Sequence, residues 1–456
     1  MKFLARLLKI RKRKHFGTDG IRGSISKETN PEFILKLGWA AGKVFKEQGI
    51  KALIIGKDTR ISGYMLETAL QSGIISAGVD VRLVGPMPTP AVSYLASSFK
   101  NQAGVVISAS HNSYEDNGIK FFGDDGKKIS NDLEEKIEKK LTEELDVSEA
   151  KNLGKAARLT DASGRYIEFC KSSLKRNINF NKLKIVLDVA NGATYDVAPK
   201  VFKELGAEII VLFDTPDGTN INKDCGSTNI KFLQKEVLKN KADFGIAFDG
   251  DGDRLIIVDK NAKELNGDDI LFVLARDKFE NQITLGSKGI VGTIMTNKGL
   301  ENSLTKMGVE LVRSDVGDRY VLQKLEELNW DLGGEQSGHI ISLDSSNSGD
   351  AIIAAIKFLE AYICSGLSLD QLLKPFTKYP QILTNVKTKN SEKVLKNKNF
   401  QNLLRDISLN LKKYDGRVNV RPSGTEPLIR IMVESKNEKE TKSASKILSN
   451  FVKKLT

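Results

Sequence analysis

Phe244-Gly-Ile-Ala-Phe-Asp249-Gly-Asp251-Gly-Asp253-Arg254-Leu-Ile-Ile-Val258 sets a loop of alternating acids and glycines between two apolar runs. Both runs are short and rich in strand-forming residues, so the acids stand where one strand ends and the next begins. Strand-end loops are where α/β proteins place their sites. If the loop is extended, alternate residues project to one side, and Asp249, Asp251 and Asp253 converge on a space that suits one hard cation. Mutual repulsion makes this costly without a metal. A calcium-binding EF-hand is excluded, because its sixth position needs Gly and has Arg254, and its twelfth needs Glu and has Lys260. A solvated acidic turn is the alternative, and the apolar strands on both sides weigh against it.

Outward from this stretch, short apolar runs alternate with longer segments of helical spacing. Residues 52–55, 81–84 and 104–107 read as strands of a first unit, 184–189, 208–213 and 244–248 as a second, and 289–294 and 310–312 as the start of a third. Residues 318–328 and 351–362 carry apolar side chains at helical spacing. This alternation predicts α/β layers with mixed, largely parallel sheets. After Pro380 the pattern changes to strands at 382–386, 416–420 and 428–433, with a helix around 395–411 and a Lys-rich terminal helix, which is a smaller α+β unit. The expected division is a basic tail at 1–15 and four domains at 16–155, 156–260, 261–375 and 376–456.

The formal charge of +12 suggests a nucleic-acid binder until it is located. Lys2, Arg6, Lys9, Arg11, Lys12, Arg13 and Lys14 supply seven of those charges with no acid among them. Aromatics do not interleave with them, so neither nucleic-acid binding nor membrane contact by the tail is expected. Arg6 and Lys9 interrupt the apolar residues of a would-be secretory signal. Cys170, Cys225 and Cys364 are scattered, as neither a disulfide framework nor a zinc site would be, which fits a cytoplasmic setting.

Four further loops carry chemical groups. Gly104-Val-Val-Ile-Ser-Ala-Ser110-His111-Asn112 is a buried strand emptying into hydroxyls; an exposed nucleophile and a hydrogen-bonded turn both fit it. Gly333-Gly-Glu335-Gln-Ser337-Gly-His339 gathers groups suited to a polyol, and includes one of only three histidines. Arg421-Pro-Ser423-Gly424-Thr425-Glu-Pro427 offers a guanidinium, hydroxyls and backbone N–H groups that suit a phosphate dianion, with a plain hairpin as the alternative. Phe16-Gly-Thr-Asp-Gly-Ile-Arg22-Gly23 is a further glycine-rich segment. None matches a nucleotide-binding fingerprint.

Together and in this order, these segments resemble the α-D-phosphohexomutase superfamily, over everything from Phe16 onward. The resemblance implies three related α/β domains and a smaller fourth around a central cleft. It implies that Ser110 is phosphorylated in the active enzyme, and that one Mg²⁺ per active site is held by Asp249, Asp251, Asp253 and an oxygen on phosphorylated Ser110. Lys120 matches the family's lysine beside the transferred group, and Arg22, His111, Arg254 and His339 surround the same centre. Glu335 and Ser337 match the sugar-hydroxyl loop; Arg421, Ser423, Gly424 and Thr425 match the loop for the phosphate not being transferred. One departure is Ser113, where the family usually has proline.

Phosphoryl transfer spreads negative charge over equatorial oxygens, which a metal and several cations stabilise. The implied reaction passes a phosphoryl group from Ser110 to a phosphosugar, turns the resulting bisphosphate over, and returns the other phosphoryl group. Gln336, Ser108-Ala-Ser110 and the opening Phe16 segment resemble the bacterial branch acting on glucosamine 6-phosphate and glucosamine 1-phosphate, which supplies UDP-N-acetylglucosamine for the cell wall. The phosphomannomutase/phosphoglucomutase branch commonly has Met at the position of Gln336 and is the alternative. A Mg²⁺-dependent phosphatase with an aspartyl intermediate is the rival from another enzyme class.

Overall fold

The computed structural model describes residues 14–17, 19–25, 29–281, 288–388, 390–423 and 427–455. The expected basic tail falls almost wholly outside these described residues. Runs such as Ala52–Lys57 are buried along their whole length, as central strands covered on both faces must be. The first sheet consists of β1 (Ile21–Ser24), β2 (Ala52–Lys57), β3 (Asp80–Pro86), β4 (Gln102–Ile107), β5 (Asp116–Phe122) and β6 (Ala156–Arg158), in the order β1-β5-β4-β2-β3-β6. Strands β4, β2, β3 and β6 are parallel; β5 returns antiparallel to β4, and β1 is antiparallel to β5.

The second sheet contains β7 (Lys184–Asp188), β8 (Glu208–Leu212), β9 (Phe244–Phe248), β10 (Leu255–Asp259) and β11 (Glu264–Leu265), in the order β11-β10-β9-β7-β8. The third contains β12 (Gly289–Thr293), β13 (Glu310–Ser314), β14 (Leu332–Gly334) and β15 (Ile340–Ser342), in the order β13-β12-β14-β15. One arrangement therefore occurs three times, as β3-β2-β4-β5, β8-β7-β9-β10 and β13-β12-β14-β15. In each, three parallel strands joined by helical crossovers end in an antiparallel return strand. The turn into that return strand carries Ser110 in the first unit, Asp249 to Arg254 in the second, and Glu335 to His339 in the third. The fourth sheet is antiparallel, β16 (Gln381–Lys387), β18 (Leu428–Glu434) and β17 (Arg417–Pro422), with Ser423 on the turn between β17 and β18.

The sheet pairing runs a few residues past the expected boundaries at 155 and 260. β6 joins β3, so the first sheet reaches Arg158, and β11 joins β10, so the second reaches Leu265. Both are edge strands too short to show hydrophobic alternation. A continuous apolar core links the first three units, including Ile54, Val92, Phe122, Ile185, Phe248, Leu255, Phe272, Ile290 and Phe358. The fourth unit has its own core around Val386, Phe400, Ile431 and Leu448. It meets the third through polar groups: Gln381 Nε2 donates to Met295 O (2.9 Å), Lys298 N donates to Oε2 of the buried Glu434 (3.3 Å), and Arg417 Nη2 donates to Thr296 O (2.7 Å). Among the described residues no helix is long and apolar enough to cross a membrane.

The second and third units are also tied by a buried pair. Asp350 caps the helix Ala351–Ser365 by accepting from Ile353 N (3.0 Å), and accepts from the Tyr166 hydroxyl (2.8 Å) on the helix Ala162–Ser172. Burial raises its carboxyl from the ordinary 3.8 to about 6. The folded protein thus holds a proton that the unfolded chain releases, so this stabilisation is full below pH 3.8 and lost as pH rises through about 6. Asp350→Asn keeps the cap without the titration. Relative to wild type it should gain about 2 kcal/mol in urea unfolding between about pH 4.5 and about pH 7. A difference that does not change with pH contradicts this.

Candidate active site

The acid loop is a tight turn, and this corrects the extended geometry expected from alternation. Asp249 Oδ1 accepts from Asp253 N and Arg254 N (both 3.1 Å), and Gly252 N donates to Asp249 O (3.2 Å). Gly252 takes φ +73°, a left-handed conformation that lets the chain reverse without a Cβ clash. The three carboxylates still converge, with one ligand atom of each within 4.8 Å of the others, and all three residues are buried. Asp251 Oδ1 and Asp253 Oδ1 have no hydrogen-bond partner. Burial, then the charges of Asp253 and Asp251, push the Asp249 carboxyl well above the carboxylate range. An all-oxygen donor set with two orphaned buried oxygens fits a hard divalent cation.

Ser110 faces this loop from the turn between β4 and β5. Its Oγ donates to Asp249 Oδ2 (2.6 Å) and lies 3.2 Å from His111 Nδ1. The residue is buried at φ +53°, a conformation that costs a non-glycine residue on the order of 1 kcal/mol and must be held by its surroundings. Ser108 Oγ accepts from Ser110 N (2.9 Å) and donates to Asp58 Oδ2 (2.6 Å). The fully buried Arg60 donates through Nη2 to Ser110 O and Asn112 O (both 2.9 Å), and through Nη1 to Asp116 O (3.1 Å) and Ser113 O. The turn that lacks the family's proline at Ser113 is thus gripped by a guanidinium at that residue's own carbonyl. Sequence reading missed Asp58 and Arg60; the signal was a charged Lys57-Asp-Thr-Arg60 directly after a buried strand.

Cations close the other side. Lys120, from β5, puts Nζ 2.7 Å from Asp251 Oδ2, 3.5 Å from Asp253 Oδ2 and 3.6 Å from Asp19 Oδ2. Burial opposes its charge, but Asp19, Asp251 and Asp253 outweigh that and raise its pKa. Arg22 sits on β1 opposite Gly118 of β5 and pairs with Asp19. The two histidines behave oppositely. Burial, then Arg254 and Arg22, lower His111 to about 4, leaving a neutral ring beside Ser110. His339 is raised: burial works against its charge, but Asp253, whose Oδ1 lies 3.7 Å from His339 Nδ1, and the charge of Asp318 prevail. Arg22 Nε, Arg254 Nε and His339 Nε2 are buried without hydrogen-bond partners. Unsatisfied donors and acceptors on one small volume suit an anion together with a cation.

Glu335 is buried, and its Oε1 accepts from Gly317 N (2.9 Å); Ser337, two residues on, is exposed. Gln336 turns away and donates to Asp268 Oδ2 (3.2 Å). Arg421, half-buried on β17, stands directly opposite Arg430 of β18, a like-charge pair that an anion would relieve and that sequence reading missed. Burial and Arg430 lower the pKa of Arg421, and the charges of Asp315 and Glu335 counter them. Ser423 is half-buried; Gly424 and Thr425 lie outside the described residues.

Phosphoglucomutase/phosphomannomutase families match four successive stretches: alpha/beta/alpha domain I at residues 13–147, domain II at 164–264, domain III at 266–379 and the C-terminal domain at 383–446. The chain belongs to this family of phosphohexomutases. Among curated relatives, the phosphoglucosamine mutase of Vibrio vulnificus is 50% identical over 443 residues, covering 97% of this chain and 99% of its own length. That of Aliivibrio salmonicida is 51% identical over 426 residues, covering 93% and 95%. Two solved structures share the fold: a phosphoglucomutase/phosphomannomutase family protein from Burkholderia thailandensis (TM-score 0.79, 24% identity, 96% and 97% coverage) and the N-acetylphosphoglucosamine mutase of Aspergillus fumigatus with GlcNAc-6P and magnesium (0.67, 17%, 97% and 96%).

The acid loop yields a direct test. Asp251→Asn should weaken Mn²⁺ or Mg²⁺ binding, measured by calorimetry, by about tenfold or more. Unchanged affinity would place the cation elsewhere.

Proposed function

We propose that this protein is a phosphoglucosamine mutase that interconverts glucosamine 6-phosphate and glucosamine 1-phosphate through phosphorylated Ser110 and a bisphosphorylated sugar. The observation that carries the reaction is Ser110 Oγ 2.6 Å from the acid triad, within a ring of unsatisfied cationic donors. The amino-sugar substrate is supported by the likeness at 50% identity to phosphoglucosamine mutases along nearly the whole chain. Bound by Asp249, Asp251 and Asp253 together with an oxygen of phosphorylated Ser110, Mg²⁺ would supply the charge that stabilises the phosphoryl group in transit.

The chain's own groups do the rest. In the forward half, the Ser110 Oγ–P bond breaks as a sugar oxygen–P bond forms; the sugar hydroxyl gives up its proton and Ser110 Oγ gains one. Lys120, Arg22, Arg254 and His339 balance the negative charge on the equatorial oxygens. Neutral His111, at 3.2 Å, can exchange a hydrogen bond with Ser110 Oγ whenever the serine is free. Glu335 and Ser337 orient the sugar hydroxyls, and Arg421 and Ser423, with Gly424 and Thr425, hold the other phosphate. One phosphate site serves both orientations of the bisphosphate, and the second half runs as the reverse of the first. Gln336 faces Asp268, so it marks the amino-sugar branch through the set of its loop rather than as a direct sugar contact.

Coupled assays on the 1-phosphates of glucosamine, glucose and mannose test the reading. kcat/KM should be highest for glucosamine 1-phosphate. A higher value for glucose or mannose overturns the substrate, and phosphate release as the main product overturns the reaction class.

A further inference from the structure

Asn222 lies in the second unit, between β8 and the helix Lys231–Asn240, yet its side chain reaches the Ser110 turn of the first. Its Nδ2 donates to Ser110 O (2.9 Å) and Asn112 O (3.0 Å). These are the same two carbonyls that Arg60 Nη2 holds from within the first unit. A side-chain amide has two N–H bonds, so both contacts can form at once, and each carbonyl has two lone pairs for its two donors. The acid loop closes on the same point. A Cβ built on Gly250 would lie 2.6 Å from Ser110 O and 2.8 Å from Asn222 Nδ2, so only a glycine lets the backbone between Asp249 and Asp251 pass here. Asn222 is itself fixed, with N donating to Ala190 O (2.9 Å) at φ +58°, a conformation that asparagine tolerates better than most residues.

Arg60 fastens the serine turn to its own sheet, but nothing in that bond sets the turn's distance from a loop of another domain. Asn222 does, because it is carried by the domain of the acid loop and is in contact with both. We propose that Asn222 is a positioning residue that registers the Ser110 turn against the Asp249–Arg254 loop, so that the phosphoryl group passes to the sugar rather than to water. The inference rests on the function proposed above. In productive transfer the Oγ–P bond breaks and a sugar O–P bond forms. In the leak, the oxygen of a water molecule takes the sugar oxygen's place, inorganic phosphate leaves, and Ser110 Oγ regains a proton. Misalignment slows the first, which needs a placed acceptor, far more than the second, for which water supplies an acceptor at any angle.

Asn222→Asp and Asn222→Gly both suit the backbone at φ +58° and both remove the amide donor. The measurements are kcat and KM for glucosamine phosphate and inorganic phosphate released per mutase turnover, a ratio independent of the folded fraction. Expected are a kcat lower by about 10- to 100-fold, a KM within about twofold of wild type, and a leak ratio raised about tenfold or more. An unchanged leak ratio overturns the proposal, whether or not kcat falls. Ser110→Ala separates the two levels. If it retains mutase turnover, the underlying reaction is wrong; if it is inactive while both Asn222 variants keep the wild-type ratio, only the role of Asn222 is wrong.

Discussion

Three carboxylates buried within one small volume are the constraint around which the rest of this molecule is arranged. Removing a single carboxylate from water is expensive, and the mutual repulsion of three adds to that cost. The chain offsets part of it by folding the loop so that Asp249 Oδ1 accepts two of the loop's own backbone N–H groups. It offsets more with Lys120, which is buried against Asp251 and Asp253, and with His339, whose charged form Asp253 favours. The compensation is incomplete: two carboxylate oxygens remain without hydrogen-bond partners. A site left short of positive charge at acids and short of acceptors at Arg22, Arg254 and His339 is organised for a cation and a phosphate together.

The fold solves the problem of assembling such a site from distant segments by repetition. Three times a parallel layer ends in an antiparallel return strand, and each time the turn into that strand carries the chemistry. Ser110, the three acids and Glu335 therefore occupy equivalent places in three related units. A shared apolar core fixes those units to one another, whereas the fourth has a separate core and a polar seam.

The parts of this site that were legible in the sequence are those whose residue types have little structural reason to occur together. Asp249 to Arg254 between two apolar strands, and Ser110 at the end of a third, announce themselves through composition and position. The alternating acids suggested an extended loop because glycine carries no sign of φ; the observed turn depends on the left-handed Gly252. The short strands β6 and β11 give no sign in the sequence because two or three residues are too few to show an alternation. Arg60 and Asn222 were invisible for a different reason. Their function lies in bonds to backbone carbonyls more than a hundred residues away or in another loop, and an acceptor carbonyl has no letter in the sequence. Arg430 became meaningful only through its register with Arg421.

In the proposed reaction Ser110 carries the phosphoryl group and the acids only help to hold it. Incubating the protein with Mg²⁺ and a glucosamine or glucose bisphosphate, quenching in acid and mapping the modification by mass spectrometry measures this directly. The account predicts one phosphoryl group, on Ser110, stable as a phosphate ester. An unmodified Ser110, or a phosphoryl group on Asp249, Asp251 or Asp253, would contradict it.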